Sequence, residues 1–245
     1  MRVGLTHTQM KLGRAKEHLD RLANEVSAFR QNAYSISRQD NANNSRHRVR
    51  IELNIMPDPI GILVREFAFN IRSGLDHLAW QLALLTTGNP ARNTAFPICS
   101  TKPTDHSFQK KVLNIPPEAV DIIESLQPYH RGEAFRDCPL WQLNRLCNID
   151  KHQLIAVSYA QFAVRIRGEL TGAWRRDLDH AIEISVPLAE KDILQLDVDV
   201  PAVIFGEPIG STDDVSDFEI RLDGLSSICQ YVRCDVVPRF EGFFS

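Results

Sequence analysis

The sequence predicts an α+β fold, in which a helical N-terminal and central region with an inserted β-hairpin precedes a C-terminal, mainly antiparallel β-sheet. Apolar residues in the first part of the chain recur in steps of three and four, which is the spacing of amphipathic helices. Two alternating segments flank a run of turn-forming residues near position 42, as in a hairpin. Beyond residue 152, alternating and β-branched segments predominate, and these favour strands.

The same observations predict the domain organisation. We expect residues 1–152 to form the helical region, with the hairpin at about 33–56. Residues 153–245 should form the β-rich region and pack on the first as one unit, since each layer must bury its apolar face against another. A chain of 245 residues is long enough to bury a sizeable core.

The elements up to the hairpin follow from local patterns. The first helix is predicted at about residues 7–30, with an apolar stripe of Leu12, Ala15, Leu19, Leu22, Val26 and Phe29. The hairpin strands are Tyr34–Arg38 and Arg48–Ile55, separated by the turn sequence QDNANNS. The hairpin is locally basic, with Arg46, His47, Arg48 and Arg50. A solvated outer strand face explains these charges.

Proline and glycine delimit the later helices. Pro57 and Pro59 start a helix of about residues 59–86, which ends at Gly88. Three shorter helices are predicted at Asp105–Leu113, Pro116–Leu126 and Pro139–Ile149. The predicted strands are Gln153–Arg167, Ala181–Val186, Ile193–Val198, Ala202–Phe205 and Phe218–Leu222, and a last helix covers Leu225–Val236.

Composition and missing motifs exclude several classes of function. The formal net charge of −3 provides no global positive field for nucleic acid, so RNA would need a local basic patch. No apolar run approaches the roughly 18–20 residues that span a bilayer, and the N-terminus lacks the apolar core of a signal peptide. We therefore expect a cytoplasmic protein. GxSxG, Walker A and GxGxxG motifs are also absent, and no cofactor is expected.

The pattern of metal-ligand residues does not favour a metal site. The five cysteines are irregularly spaced without a CxxC pair, which is typical of buried thiols in a reducing compartment. His77, Asp76, Asp150 and His152 are all of ligand type, but they lack the spacing of known metal sites. We expect no metal.

The helix at 59–86 carries the concentrated polar chemistry of the chain. Its core stripe consists of Val64, Phe67, Ile71, Leu75, Leu78, Leu82 and Leu85. The opposite side is also apolar, with Phe69, Trp80, Ala83 and Leu84, so we expect burial on two sides. Three polar residues, Arg72, Asp76 and His77, lie among this second set, and the first two are spaced to form an ion pair.

Two interpretations of this polar patch stay open. Arg72 and Asp76 could form a structural ion pair beside a core or interface histidine, since structural networks also gather such groups. Alternatively the three residues line a cleft, in which Arg72 offers bidentate donors to phosphate and His77 acts as a general acid or base. Asp76 would then hold the arginine or set the tautomer of the histidine.

The stretch Asn70-Ile-Arg72-Ser-Gly-Leu-Asp76-His77-Leu-Ala-Trp80 contains Arg-x4-His on a helix. This resembles the Arg-x4–6-His signature of the HEPN superfamily, whose members are helical, often dimeric, and in many cases metal-independent ribonucleases of toxin or antiviral systems. The chain also looks like a widespread group of bacterial proteins with an LRSALDHLAWQL helix, a following FPI (here Phe96-Pro97-Ile98) and a later DKH (here Asp150-Lys151-His152). That second resemblance covers about residues 10–155.

The HEPN resemblance implies a HEPN-like helical core and a site. In such an enzyme His77 exchanges a proton with the ribose 2′-hydroxyl, Arg72 stabilises the charge on the phosphorane, and Asp76 orients one or both. Asn70, Ser73, Lys151 and His152 are the expected substrate-binding residues. Lys151 and His152 have another explanation, since basic groups in a last turn favour the negative end of the helix dipole.

The sequence is compatible with two classes of function. The leading one is a metal-independent endoribonuclease, or a degenerate relative, of a bacterial toxin or defence system. Its partners would be RNA, an antitoxin or other protein, and a second copy of the chain in a homodimer. The alternative is a non-catalytic ligand- or protein-binding protein in which the Arg/Asp/His patch is structural.

Overall fold

The computed structural model describes residues 4–41, 46–54, 57–152 and 219–245, together with the backbone of six strands between residues 155 and 206. The chain divides into two compact units. The helical unit comprises Met1–Leu22, Ile62–Ile155 and Asp223–Ser245, and the strand unit comprises Ala23–Gly61 and Ala156–Leu222. Within the described residues, no helix combines the length and apolar character needed to cross a membrane.

Six α-helices are described, and they follow the predicted helices closely. They are α1 (Thr6–Arg30), α2 (Asp58–Thr87), α3 (Ser107–Lys111), α4 (Pro117–Ser125), α5 (Pro139–His152) and α6 (Leu222–Tyr231). A 3-10 segment at Pro128–Asp137 precedes α5, and a π-turn (Val232–Val236) and a second 3-10 segment (Val237–Phe243) continue α6. The predicted helix at 59–86 is therefore confirmed as one continuous element, and the predicted last helix continues to Phe243.

Helix α2 supplies much of the core of the helical unit. Its predicted stripe is buried from Val64 to Leu82, and the largest side chains shielded from solvent in this unit include Phe67, Phe96, Phe240, Leu75, Leu78 and Leu82. The helix ends at Gly88, whose φ of 66° allows its N–H to bond the carbonyl of Leu84. Gly74 permits a close approach to α1, since a Cβ at this position would lie 3.2 Å from Leu12 Cδ2.

The expectation that α2 is buried on two sides is wrong in part. Ala83 is buried, but Phe69 is 62% exposed and Trp80 is 37% exposed. Leu85 of the predicted core stripe is 40% exposed. Helical spacing shows that a second apolar side exists, but burial depends on elements that lie elsewhere in the sequence. One side of α2 therefore presents aromatic surface to solvent in this structure.

The predicted fold class, α+β with a C-terminal antiparallel β-sheet, is wrong. Helical residues make up 72% of the residues whose side chains are described, and the chain beyond Arg221 is helical. Predicted segments do adopt strand backbone, but they do not assemble into one C-terminal sheet. Alternation of apolar and polar side chains predicts a strand but does not indicate which strand it pairs with, because pairing depends on distant parts of the chain.

The described strands form three separate three-stranded sheets. The hairpin strands, β1 (Tyr34–Asn41) and β2 (Arg46–Leu53), pair antiparallel from Tyr34↔Leu53 to Asn41↔Arg46. Strand β2 also pairs with β6 (Ile182–Pro187), so the hairpin belongs with the later strands. The remaining strands are β3 (Ile155–Val157), β4 (Ala160–Ile166), β5 (Glu169–Arg176), β7 (Leu194–Asp199), β8 (Val203–Gly206) and β9 (Glu219–Arg221), in the orders β3-β8-β9 and β5-β4-β7.

Tyr129, which follows α4, makes the free energy of unfolding depend on pH in the alkaline range, because its pKa is raised in the folded protein. Tyr129 Oη donates to Glu124 Oε1 at 2.7 Å. Burial raises the pKa of Tyr129 well above its ordinary value, and the Glu124 carboxylate raises it further. The contribution of Tyr129 to stability is therefore complete below the ordinary tyrosine pKa of about 10 and is lost as the pH rises above it, because the unfolded chain ionises first.

We expect the free energy of unfolding to fall above about pH 10 and to fall less steeply in Tyr129→Phe. Glu124→Gln should give an intermediate slope, since it keeps the burial of the phenol and removes the neighbouring charge. Urea unfolding at several pH values between about 9 and 11 measures these slopes. Identical slopes for the wild type and Tyr129→Phe would show that this phenol does not contribute.

Candidate functional site

The predicted polar residues of α2 face a cavity of about 530 Å³ in the helical unit. Arg72, Ser73, Asp76 and His77 all line it. The other lining residues are the aromatic Phe69 and Trp80 of α2, His7 of α1, the buried Gln81 and the buried Thr94. The arrangement follows from helical spacing, because α2 turns one continuous side from Phe69 to Trp80 towards this space.

Arg72 and Asp76 are paired, as their spacing predicted. Arg72 Nη2 lies 2.9 Å from Asp76 Oδ1, and Arg72 Nε lies 3.2 Å from Asp76 Oδ2, which is a bidentate geometry. The two side chains are 20% and 38% exposed, so the pair is only partly shielded from solvent. The positive charge that faces the cavity is therefore largely balanced by an adjacent carboxylate.

The same pair, Arg72 and Asp76, holds the backbone of Phe96, and we call this arrangement the clamp on Phe96. Arg72 Nη2 donates to the Phe96 carbonyl oxygen at 2.6 Å, and the Phe96 N–H donates to Asp76 Oδ1 at 3.0 Å. Gln127 continues this pattern by donating to the Pro97 carbonyl at 3.0 Å and accepting from the Cys99 N–H at 2.9 Å. Side chains thus satisfy the backbone of the Phe-Pro-Ile segment, which would otherwise be buried without partners.

Thr94 lies two residues before Phe96, and its own N–H bonds the carbonyl of Ala91. Thr94 is 9% exposed and lines the cavity. Its Oγ1 has no hydrogen-bond partner among the described residues. A buried hydroxyl without a partner costs about 1–3 kcal/mol, so such groups are rare unless something else occupies the site.

Two imidazole rings meet at the cavity. The ring centroids of His7 and His77 are 6.1 Å apart, and their planes are inclined by 22°. His7 is exposed and His77 is half-buried. In the described part of the chain, neither ring nitrogen of either residue makes a hydrogen bond. Asp76 bonds Arg72 and Phe96, and it holds the arginine and not the histidine.

The other predicted binding residues are placed differently. Ser73 lines the cavity. Asn70 is 8% exposed, and its Nδ2 donates to the carbonyl of Glu66 within α2. The side chains of Lys151 and His152 lie outside the described residues. Among the described residues, no group of three or more His, Cys, Asp or Glu side chains could hold a metal ion.

Sequence reasoning missed His7, Gln81 and Thr94. Gln81 is 1% exposed and accepts the backbone N–H of Gly4 at Oε1. His7 is signalled only by its residue type, because nothing near it in the sequence indicates that the start of α1 lies beside the middle of α2. Thr94 is close in sequence to the Phe-Pro-Ile motif. That its hydroxyl lacks a hydrogen-bond partner among the described residues is seen only in the structure.

Comparison with known proteins gave no match of any of three kinds. No family model matches the chain. No curated protein and no solved structure matches it either.

Proposed function

We propose that the chain is a metal-independent endoribonuclease, of the kind found in bacterial toxin and defence systems, that cleaves RNA at the cavity beside α2. The observation that carries this proposal is a pair of imidazoles in the cavity lining that also contains Arg72. These are His7 and His77, and neither ring makes a hydrogen bond to another described residue. Cleavage of RNA through its own 2′-hydroxyl needs one group to take a proton and one to give a proton. Imidazole suits both tasks near neutral pH.

The proposed reaction is a transesterification. One neutral imidazole removes the proton of the 2′-hydroxyl, and the 2′-oxygen forms a bond to the adjacent phosphorus. The bond from phosphorus to the 5′-oxygen of the next nucleotide breaks, and that oxygen takes a proton from the second, protonated imidazole. The products are a 2′,3′-cyclic phosphate and a free 5′-hydroxyl, so all atoms and protons balance.

Arg72 can assist although it already holds Phe96. Its bonds to Asp76 and Phe96 use Nε and Nη2, and none of the hydrogen bonds between described residues uses Nη1. The two N–H groups of Nη1 can therefore donate to a non-bridging phosphate oxygen. The clamp fixes the guanidinium in advance, which favours stabilisation of charge that develops in the transition state.

The test is incubation of the purified chain with mixed RNA in excess EDTA, followed by analysis of the new ends. We expect cleavage under chelation, with 2′,3′-cyclic phosphate and 5′-hydroxyl ends. His77→Ala, purified in the same way, controls for contaminating ribonucleases. Ends that carry a 5′-phosphate would contradict the proposal, because a water nucleophile and not the 2′-hydroxyl would then be attacking.

A second candidate function is non-catalytic binding of a ligand in the same cavity. It is favoured by the contacts of Arg72 and Asp76, since both side chains hold the Phe96 backbone and therefore have a structural task. Absence of RNA cleavage by the wild type, together with saturable ligand binding that depends on the cavity, would favour this candidate.

A further inference from the structure

Two aromatic residues of α2 line the cavity, one before and one after Arg72 and His77 along the helix. Phe69 and Trp80 both line it and are exposed enough to be touched by a ligand, at 62% and 37%. They are eleven residues apart on α2, which corresponds to about 16 Å along the helix axis. Arg72 and His77 lie between them on the same wall.

Two neighbouring bases of a single strand can reach both aromatic residues when they are unstacked and splayed apart. Unpaired bases stack on aromatic side chains irrespective of base identity, and the phosphate that joins two splayed bases lies between them. A base on Phe69 and a base on Trp80 would place that phosphate beside Arg72 and His77. A base-paired duplex cannot present its base faces in this way.

Two further groups match such an occupant. Lys11 Nζ lies 5.6 Å from the centroid of the Phe69 ring, so a positive charge accompanies this aromatic platform. Thr94 lines the cavity and is nine-tenths buried, and its hydroxyl has no partner among the described residues. A hydroxyl can both donate and accept, so it can bond to the polar edge of any base.

We propose that the cavity binds a dinucleotide step of single-stranded RNA, with one base on Phe69, the other on Trp80, and Thr94 Oγ1 hydrogen-bonded to a base edge. This inference rests on the proposed ribonuclease function for the choice of RNA as the strand. Two aromatic platforms correspond to two stacked bases, and the occupant is therefore a dinucleotide step.

Thr8 offers a matched control for Thr94. Its Oγ1 is also buried and without a partner among the described residues, and Thr8 is 0% exposed. Thr8 does not belong to the lining of the cavity. Thr94→Val and Thr8→Val therefore remove the same group from similarly buried positions, and only the first should affect a bound base.

Binding is measured by calorimetry with a dinucleotide of 2′-deoxyadenosine, which cannot be cleaved through a 2′-hydroxyl. The comparison ligands are 2′-deoxyadenosine monophosphate and 2-deoxyribose 5-phosphate. We expect the dinucleotide to bind about tenfold more tightly than the mononucleotide, since one stacked base contributes about this factor or more. The sugar phosphate should bind most weakly of the three.

The variants then locate the bases. Phe69→Ala and Trp80→Ala should each weaken dinucleotide binding about tenfold or more, whereas Leu85→Ala, which removes an exposed apolar side chain of α2 outside the cavity, should not. Thr94→Val should weaken binding about fivefold or more and Thr8→Val should leave it unchanged. Equal affinity for dinucleotide and sugar phosphate, or equal effects of the two threonine variants, would overturn the inference.

These measurements are separate from the test of cleavage. If the dinucleotide binds as expected but RNA stays intact, the binding site stands and the ribonuclease proposal fails. If RNA is cleaved in a His77-dependent way but the bases add nothing to affinity, the ribonuclease proposal stands and the dinucleotide site fails.

Discussion

Replacing His77 with alanine should lower the rate of RNA cleavage by about 10²–10⁴-fold, the usual contribution of a general acid or base. His7→Ala should lower it by a similar factor, because each imidazole serves one of the two proton transfers. The double variant should lose little more than either single one, since groups that act as a unit are not additive. Initial rates on one defined RNA in EDTA measure all three effects.

The control for these histidine variants is His130→Ala. Like His7, His130 is exposed, but its ring lies 3.1 Å from a carboxylate oxygen of Glu124 and it does not line the cavity. His130→Ala should keep full activity. The free energy of unfolding should change by less than about 1 kcal/mol in the His7 and His77 variants, because neither ring makes a hydrogen bond to another residue that the structure describes. Cleavage that survives His77→Ala would place the activity elsewhere.

Replacing Asp76 with alanine should destabilise the protein by about 1–3 kcal/mol. The change leaves the Arg72 guanidinium without its counter-ion and the Phe96 N–H without its acceptor. A fully buried pair that loses one partner costs about 3–5 kcal/mol, but these side chains are 20% and 38% exposed, so solvent reduces the penalty. Arg72→Lys should also destabilise, because an ammonium group cannot reach Asp76 and Phe96 with the same planar geometry.

Urea unfolding monitored by circular dichroism measures this effect. The matched control is Arg14→Ala, which breaks an ion pair with Glu17 whose side chains are 62% and 65% exposed. That change should cost less than about 0.5 kcal/mol, as is usual for exposed pairs. If Asp76→Ala cost no more than Arg14→Ala, the clamp on Phe96 would contribute nothing to stability.

The sequence predicts what is encoded locally. The apolar stripe of α2, the proline at its start and the glycine at its end are all within one segment, and they give the helix almost to the residue. The Arg72–Asp76 pair also follows from helical spacing alone. The two hairpin strands are predicted for the same reason, although β1 extends through Gln39, Asp40 and Asn41, which the sequence predicts as turn residues.

Features that join distant segments are not predicted. Phe96 is recognised as part of a Phe-Pro-Ile motif, but nothing in that motif indicates that its backbone is held by Arg72 and Asp76. The exposure of Phe69 and Trp80 depends on what does not pack against them, which periodicity cannot show. His7 and Thr94 reach the cavity through tertiary contacts, and the partners of the later strands are likewise set by the whole chain.

Gly74 connects the spacing of two helices to the spacing of the two histidines. A methyl group at this position would meet Leu12, which is buried and lies on the same rigid helix as His7. Any displacement of α1 that relieves this contact would also move His7 relative to His77. A substitution at Gly74 would therefore change the distance between His7 and His77 without changing any residue that lines the cavity.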